Sequence, residues 1–504
     1  MLLSLRSGFY GADRGLPLHM SDRPRTGLRR LTATGTLVNG TFLAGLSALN
    51  LVRGFVLAHF LTREDYGIWG VILISLATLL WLKQAGIGDK YIQQEDPDQE
   101  EAFQRAFTLE ALYMGAFALL LAAAIPVMAL VYNRTDIVAP AVVFLALLPA
   151  MVLQAPLWVF YRRMDFVQQR LVQAVDPVLG FVVGVALAVA GAGYWSFVGG
   201  ALAGAWGSAL VAIARSPYAL RFRYDPGTLR RYASFSWPLV LAGGAGVVTA
   251  QGAVITSNAH LGIEAVGALT LAASISQFTD RVDQIVTGTL YPAICAVADR
   301  TALLHESFVK SNRLALMWAV PFGLGLALFA ADLVHFGIGD RWVPAIALLQ
   351  WFGVIAAANH LGFNWDAYFR ARGDTRPIAV ASVVAIVAFA GAAIPLILSD
   401  GLEGLAIGLA IQAACVLAVR GFFLRRLFAG FALGRHALRA VAPSLPAAGA
   451  VALARALESG PRSEGRALGE LALYVLVTAV ATLVLERDLL REARGYLARP
   501  APAA

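Results

Sequence analysis

Ala111-Leu-Tyr-Met-Gly-Ala-Phe-Ala-Leu-Leu-Leu-Ala-Ala-Ala-Ile-Pro-Val-Met-Ala-Leu-Val131 runs for twenty-one residues without a charged side chain. A helix rising 1.5 Å per residue needs roughly 20 such residues to cross a hydrocarbon layer of about 30 Å. In lipid each backbone N–H and C=O must be satisfied within the segment, so the run reads as a helix and not a strand. Comparable runs lie on both sides of it. The spans are 36–61, 67–88, 106–132, 137–160, 174–193, 195–214, 235–257, 264–290, 313–335, 344–367, 377–398, 401–424, 438–456 and 467–485. The expected fold class is therefore an all-α polytopic membrane protein with 14 transmembrane helices. Composition agrees: of 504 residues, 59% are hydrophobic and 14% charged, against about 25% charged in a soluble domain.

Orientation follows from the cations. Outward loops and outer span ends on this map hold Arg63, Arg134, Arg341, Arg455, Arg462 and Arg466, while Arg53 and Arg281 lie deep inside spans. The other 32 of the 40 Lys and Arg residues fall on the opposite face, the excess that marks a cytoplasmic side. Both termini are expected to be cytoplasmic. The net charge of +8 is then a topology signal. Its scatter over many inward segments excludes the single basic stripe of a nucleic-acid binder. The arginine-rich tail before residue 35 has no apolar run long enough for a signal peptide, and Met20 is a second candidate start. Cys295 and Cys415 give no disulfide framework or metal spacing.

An internal repeat suggests the architecture. Leu28-Arg29-Arg30 precedes the first span and Leu229-Arg230-Arg231 the seventh; Ala58-His59 followed by Gly67 recurs as Ala259-His260 followed by Gly267. An offset of six spans preserves orientation and predicts two similar bundles related by an axis along the membrane normal. The expected division is a cytoplasmic tail 1–34, an N-terminal six-helix lobe 35–220, a C-terminal six-helix lobe 221–430, two additional helices 431–486 and a cytoplasmic tail 487–504.

Several local patches now become readable. Leu61-Thr-Arg-Glu-Asp-Tyr-Gly-Ile-Trp69, Ala85-Gly-Ile-Gly-Asp-Lys-Tyr-Ile-Gln-Gln94, Phe160-Tyr-Arg-Arg-Met-Asp-Phe166, Phe235-Ser-Trp-Pro238, Gly339-Asp-Arg-Trp342 and Tyr368-Phe-Arg-Ala-Arg-Gly373 occur in this order. Their order and spacing resemble the bacterial polysaccharide (oligosaccharide) flippases of the multidrug/oligosaccharidyl-lipid/polysaccharide exporter superfamily, over about residues 30 to 430. The motifs also have a local reading. Tyr66-Gly67 sits where one helix ends and another begins, Tyr and Trp suit the headgroup layer, and arginine-rich inner turns can contact anionic membrane lipid.

Charges within spans are where function is sought, because a mid-helix arginine costs roughly 2.5 to 3.5 kcal/mol to insert and usually faces a cavity or a partner. Arg53 has Asn50 one turn earlier on its face; Arg281 has Gln277 and Gln284 at helical spacing. They fall in different halves of the repeat and are the candidate substrate-binding residues, one on each wall of a cleft. Snorkelling of Arg53 to the interface and pairing of Arg281 with Asp280 or Asp283 are the structural alternatives. Asp280, Asp283, Asp366 and Glu110 are the candidates for ion coupling. Asn359 is expected two turns before Asp366 on one face, and solvation near the inner boundary is the simpler reading for Asp366 and Glu110. His59 and His260 sit at outer span ends, where a proton role is the remaining histidine candidate.

Enzyme signatures are absent: no G-x-x-x-x-G-K-[ST] nucleotide loop and no H-E-x-x-H. No catalytic residue, metal or cofactor is expected. The resemblance implies a secondary transporter that moves a polyprenyl-diphosphate-linked oligosaccharide from the cytoplasmic to the outer leaflet of the bacterial inner membrane, for surface polysaccharide biosynthesis. Other polysaccharide-assembly membrane proteins are the partners it implies. The rival readings are a drug or small-solute exporter of the same superfamily and a membrane-embedded glycan polymerase or ligase.

Overall fold

The computed structural model describes residues 48–82, 87–93, 96–163, 165–228, 244–280, 299–372, 376–458 and 460–491, with single positions at 42, 45, 46, 294 and 374. Among these residues the regular structure is helical, without a strand. The helices that position the site are α1 (Ala48–Phe60), α2 (Arg63–Leu82), α3 (Gln99–Val131), α4 (Val138–Arg162), α5 (Phe166–Val189) and α6 (Trp195–Ala214). They continue with α7 (Gly244–Leu261), α8 (Ile263–Ser276), α9 (Thr301–Asp332), α10 (Ile346–Asn359), α11 (Arg376–Ala388) and α12 (Ile394–Leu427). Then follow α13 (Leu433–Val441 bent by 49° into Leu445–Leu457) and α14 (Glu464–Leu485). Eight segments of the described residues are long and apolar enough to cross a membrane, nine when the bent α13 pair counts as one span. Residues 1–41, 229–243, 281–293 and 492–504 lie outside the described residues, and with them the N-terminal tail 1–34 and most of the tail 487–504.

Several helices run past the hydropathy boundaries. α3 begins at Gln99 and not near 106, capped by Asp98, whose side chain accepts from Glu101 N. α9 begins at Thr301, twelve residues before its apolar stretch. Hydropathy reports only the part in lipid, whereas the hydrogen-bond ladder continues into water wherever a cap and good helix formers allow. Elsewhere a span is interrupted. α4 is three short helical pieces. The expected span 344–367 breaks after α10, where Gly362 (φ 75°) and Asn364 (φ 48°) take left-handed backbone, and a new helix starts at Trp365–Ala371. Asn359 and Asp366 therefore do not share a continuous helix face. Asp400 and Gly401 interrupt α12, Gly401 at φ 62°, a conformation that glycine adopts without steric cost; this is the expected turn between 398 and 401.

Large side chains such as Leu119, Leu130 and Leu457 are exposed on the outer face of the bundle, as a lipid-facing surface requires. The interior is one large apolar cluster running from Leu57 to Ala406, with a smaller aromatic cluster of Phe308, Tyr368, Phe428 and their neighbours. Small residues set the closest approaches. Added to Gly204 on α6, a Cβ would fall 2.5 Å from the Asp176 carbonyl oxygen on α5, and at Gly200 2.7 Å from that of Gly180. Such backbone proximity is the usual way helices associate where lipid offers no hydrophobic drive.

Candidate functional site

The repeat residues Gly67 and Gly267 meet each other. α2 and α8 cross there so closely that a Cβ on Gly67 would stand 2.1 Å from the Ile263 carbonyl oxygen, and one on Gly267 1.9 Å from that of Arg63. Arg63 pairs with Glu264 at 2.7 Å across the crossing. At the same end Arg134 binds Glu64 and Asp136, both at 2.5 Å. The Arg341 guanidinium donates to Leu61 O at 3.3 Å, and the fully buried Trp342 donates its indole N–H to Ala58 O at 2.9 Å. Tyr66 packs edge-on against Phe197 and Trp342 and donates to Gly54 O. One end of the bundle is thus closed by a double-glycine crossing, ion pairs and an aromatic knot.

Arg53 projects from α1 into the niche between α5 and α6. Its guanidinium nitrogens lie 3.3 to 3.7 Å from where Cβ atoms on Gly180, Gly184 and Gly200 would sit, so the niche exists because those residues are glycine. Among the described residues it makes no hydrogen bond or ion pair; Asp176 on α5 and Tyr66 act on it electrostatically. Leu51 and Phe55, two residues either side on α1, line an apolar groove instead, because positions two apart on a helix point to nearly opposite faces. Asn50 is exposed on α1.

That groove has a volume of about 910 Å³ and runs between α1, α8, α9 and α14, lined by residues such as Ile275, Phe322, Leu471 and Tyr474. At one end it reaches Asp332 and Glu464. There Arg455 and Arg462 both bind the buried carboxylates of Asp332 and Glu470, tying α13 and α14 to α9. A second, polar chamber of about 380 Å³ opens beside it, lined by Gln277, Asp280, Asn359, Gln412, Arg420 and Phe352 among others. The 3-10 turn Gln277–Thr279 lies between the two. Its Phe278 packs on Trp318 and Phe322, with ring centroids 5.5 and 5.1 Å away.

Gln277 and Asp280 are thus brought together at the chamber. Arg281, Asp283 and Gln284 lie outside the described residues. Asp366 forms an i,i+4 pair with Arg370 at 3.0 Å on an exposed face. Glu110 is buried on α3, 7% exposed, which overturns the expectation of simple solvation there. His59 and His260 are both exposed at helix ends. Asp176, His360 and Gln412 enter the picture only through the structure, although each is a polar residue within an expected span and carries that signal in the sequence.

The profile of the family described as "Polysaccharide biosynthesis protein" matches residues 56–347. The succinoglycan biosynthesis transport protein ExoT of Rhizobium meliloti (strain 1021) is 23% identical over 320 residues, 60% of this chain and 63% of that protein. The lipopolysaccharide biosynthesis protein WzxC of Escherichia coli (strain K12) is 23% identical over 353 residues, 66% of this chain and 69% of its own. The chain thus matches just under two thirds of the length of the first of these relatives. Among solved structures, the lipid II flippase MurJ in an inward closed conformation superposes with a TM-score of 0.63 at 12% identity, over 90% of this chain and 99% of MurJ. An inward-facing multidrug resistance MATE transporter gives 0.62 at 13%, over 78% and 98%. These two share the fold. With more than half of its length matched by the family profile, the chain belongs to the polysaccharide biosynthesis protein family.

Proposed function

We propose that this protein is a secondary transporter of the bacterial inner membrane that carries a polyprenyl-diphosphate-linked oligosaccharide from the cytoplasmic to the outer leaflet for surface polysaccharide biosynthesis. The observation that carries the reading is the pairing of a polar chamber with an apolar groove across one aromatic wall. An amphiphile needs both: its charged, sugar-bearing head cannot enter hydrocarbon, and its tail cannot enter water. The names of ExoT and WzxC, and the fold shared with a lipid II flippase, support the same class of cargo. Arg53 and Arg281 receive the diphosphate in this reading, Arg53 after leaving the α5–α6 niche in which it lies outside both cavities. A guanidinium suits that role because it offers paired donors to phosphate oxygens.

The mechanism is alternating access of two lobes, 35–220 and 221–430. The Gly67–Gly267 crossing closes the end to which the arginine distribution assigns the outer side, and Arg63–Glu264 holds it. Rocking about this crossing opens that end and closes the other. The two last helices, 431–486, stay with the second lobe, and α14 walls the groove.

The test is export in cells that lack the gene and carry plasmid variants. Arg53→Gln and Arg281→Gln are expected to lower surface glycan about tenfold or more, the loss of one charge-assisted contact to phosphate, with lipid-linked glycan accumulating in the cytoplasmic leaflet. Lysine at either position is expected to restore part of it. Unchanged glycan in all four variants at normal protein level would overturn the diphosphate role. Loss of drug resistance without glycan accumulation would favour the small-solute exporter.

A further inference from the structure

Among the described residues, one buried ring nitrogen at the edge of the polar chamber is left without a hydrogen-bond partner. His360 closes α10 and is 3% exposed. Its Nδ1 lies 2.7 Å from Ala356 O; a carbonyl only accepts, so Nδ1 carries the proton and the neutral ring leaves Nε2 as a bare lone pair. Nε2 is buried and has no hydrogen-bond partner among the described residues. It faces Asp280 Oδ1 at 3.7 Å, beyond hydrogen-bond reach. Two acceptors oppose each other there, and one proton would turn the pair into donor and acceptor.

We propose that His360 and Asp280 form a proton-binding site whose loading biases the conformational cycle. The inference rests on the transporter reading above and supplies its coupling ion. A proton arriving through the chamber binds the Nε2 lone pair, Asp280 stays a carboxylate, and the imidazolium N–H donates to it. No other bond is made or broken. Closing the gap by about 1 Å is easy here because both groups sit at helix breaks. Asp280 follows the 3-10 turn 277–279, and His360 precedes the left-handed Gly362 and Asn364.

The two breaks are wired outward. Asn312 on α9 donates to His360 O at 2.9 Å and accepts from Gly362 N at 3.2 Å, and its Oδ1 also meets His436 Nε2 on α13. The turn that bears Asp280 also bears Phe278, which packs on the wall between chamber and groove. Protonation thus pulls on α9, α13 and the wall together. Among the described residues, the charges around the pair are Arg420 from α12, which donates to Asn359 O at 2.8 Å, Arg313 and His436 behind Asn312, and the Asp366–Arg370 pair beyond the break. Arg420 and Arg313 oppose a new cation on His360. Asp280 favours it.

The test uses the full chain in lipid nanodiscs with histidine ring carbons labelled, titrated from about pH 5 to 8.5, the interval in which histidine changes charge. One of seven histidine signals, identified by its loss in His360→Gln, is expected to titrate. Asp280→Asn is expected to lower its proton affinity about tenfold, the effect of removing a neighbouring opposite charge, and sodium at constant ionic strength to leave it unmoved. In a second readout, oxidation of the Arg63→Cys/Glu264→Cys double variant is expected to depend on pH, and that dependence to vanish with His360→Gln or Asp280→Asn. A His360 signal that does not titrate, that ignores Asp280→Asn or that responds to sodium overturns the proposal, as does pH-independent cross-linking. Neither readout involves glycan, so failure here is separable from failure of the flipping reading.

Discussion

At the residue scale, the structure turns on where each charge finds its counterpart. Arg53 is legible from sequence as an intramembrane cation, but its surroundings are not: three glycines more than a hundred residues away make its niche, and Asp176 supplies the neighbouring negative charge. The six arginines expected in outward loops tell the opposite story. Arg63, Arg134, Arg341, Arg455 and Arg462 each bind groups from the same end of the bundle. Outside the spans, the Arg134 hydrogen bond holds the Asp136 carboxyl below its ordinary range, against the opposing effect of burial, and Asp136 and Glu64 raise Arg134 in turn. Because the folded value is depressed, the stabilisation is complete above the unfolded aspartate value of about 3.9 and fades as pH falls through the lower folded one. The thermal-stability advantage of the protein over Asp136→Asn is therefore expected to be flat from about pH 5 to 8 and to shrink below about pH 4. A dependence centred near neutrality would contradict this assignment of the clasp.

At the element scale, the decisive contact is between α2 and α8. Hydropathy places both helices but cannot pair them, since apolar helices attract one another without specificity in lipid. What the sequence does contain is the repeat, and the tertiary structure brings its two glycines into contact at a single crossing. Even one methyl there overlaps a carbonyl oxygen. Gly67→Val and Gly267→Val are expected to prevent this approach at a cost of about 1 to 3 kcal/mol, the range for overpacking a tight contact. A thermal melt in detergent measures the loss, and cross-linking in the Arg63→Cys/Glu264→Cys background should fall with it. Full cross-linking in both valine variants would show that the helices do not meet as described. The interruption after α10 was equally hidden. A hydrophobic window runs through residues 344–367 without notice, because it averages side chains and is blind to the left-handed backbone at Gly362 and Asn364.

For the molecule as a whole, the appended helix α14 is held at both ends of the groove it walls. One fastening is the four-residue network of Asp332, Glu470, Arg455 and Arg462; the other joins Arg313 to Glu486. Both network carboxylates are nearly buried, so losing an arginine strands negative charge. Arg462→Ala, with Arg455 still in place, is expected to destabilise the fold by about 2 kcal/mol, the scale of hydrogen bonds to charged groups. Urea or thermal unfolding in detergent would register this, whereas an unchanged midpoint would mean the network is not closed in the membrane. The amino-acid sequence by itself determined that the chain is a bundle of membrane-crossing helices and which arginines share one end. These properties follow from the local solvation of consecutive side chains, which any window along the chain can sum. Only the tertiary structure decided that Arg53 faces glycine and Asp176, that Gly67 meets Gly267, and that a polar chamber adjoins an apolar groove at Phe278. Those relations join residues far apart in the chain, and packing geometry, not hydropathy, selects them.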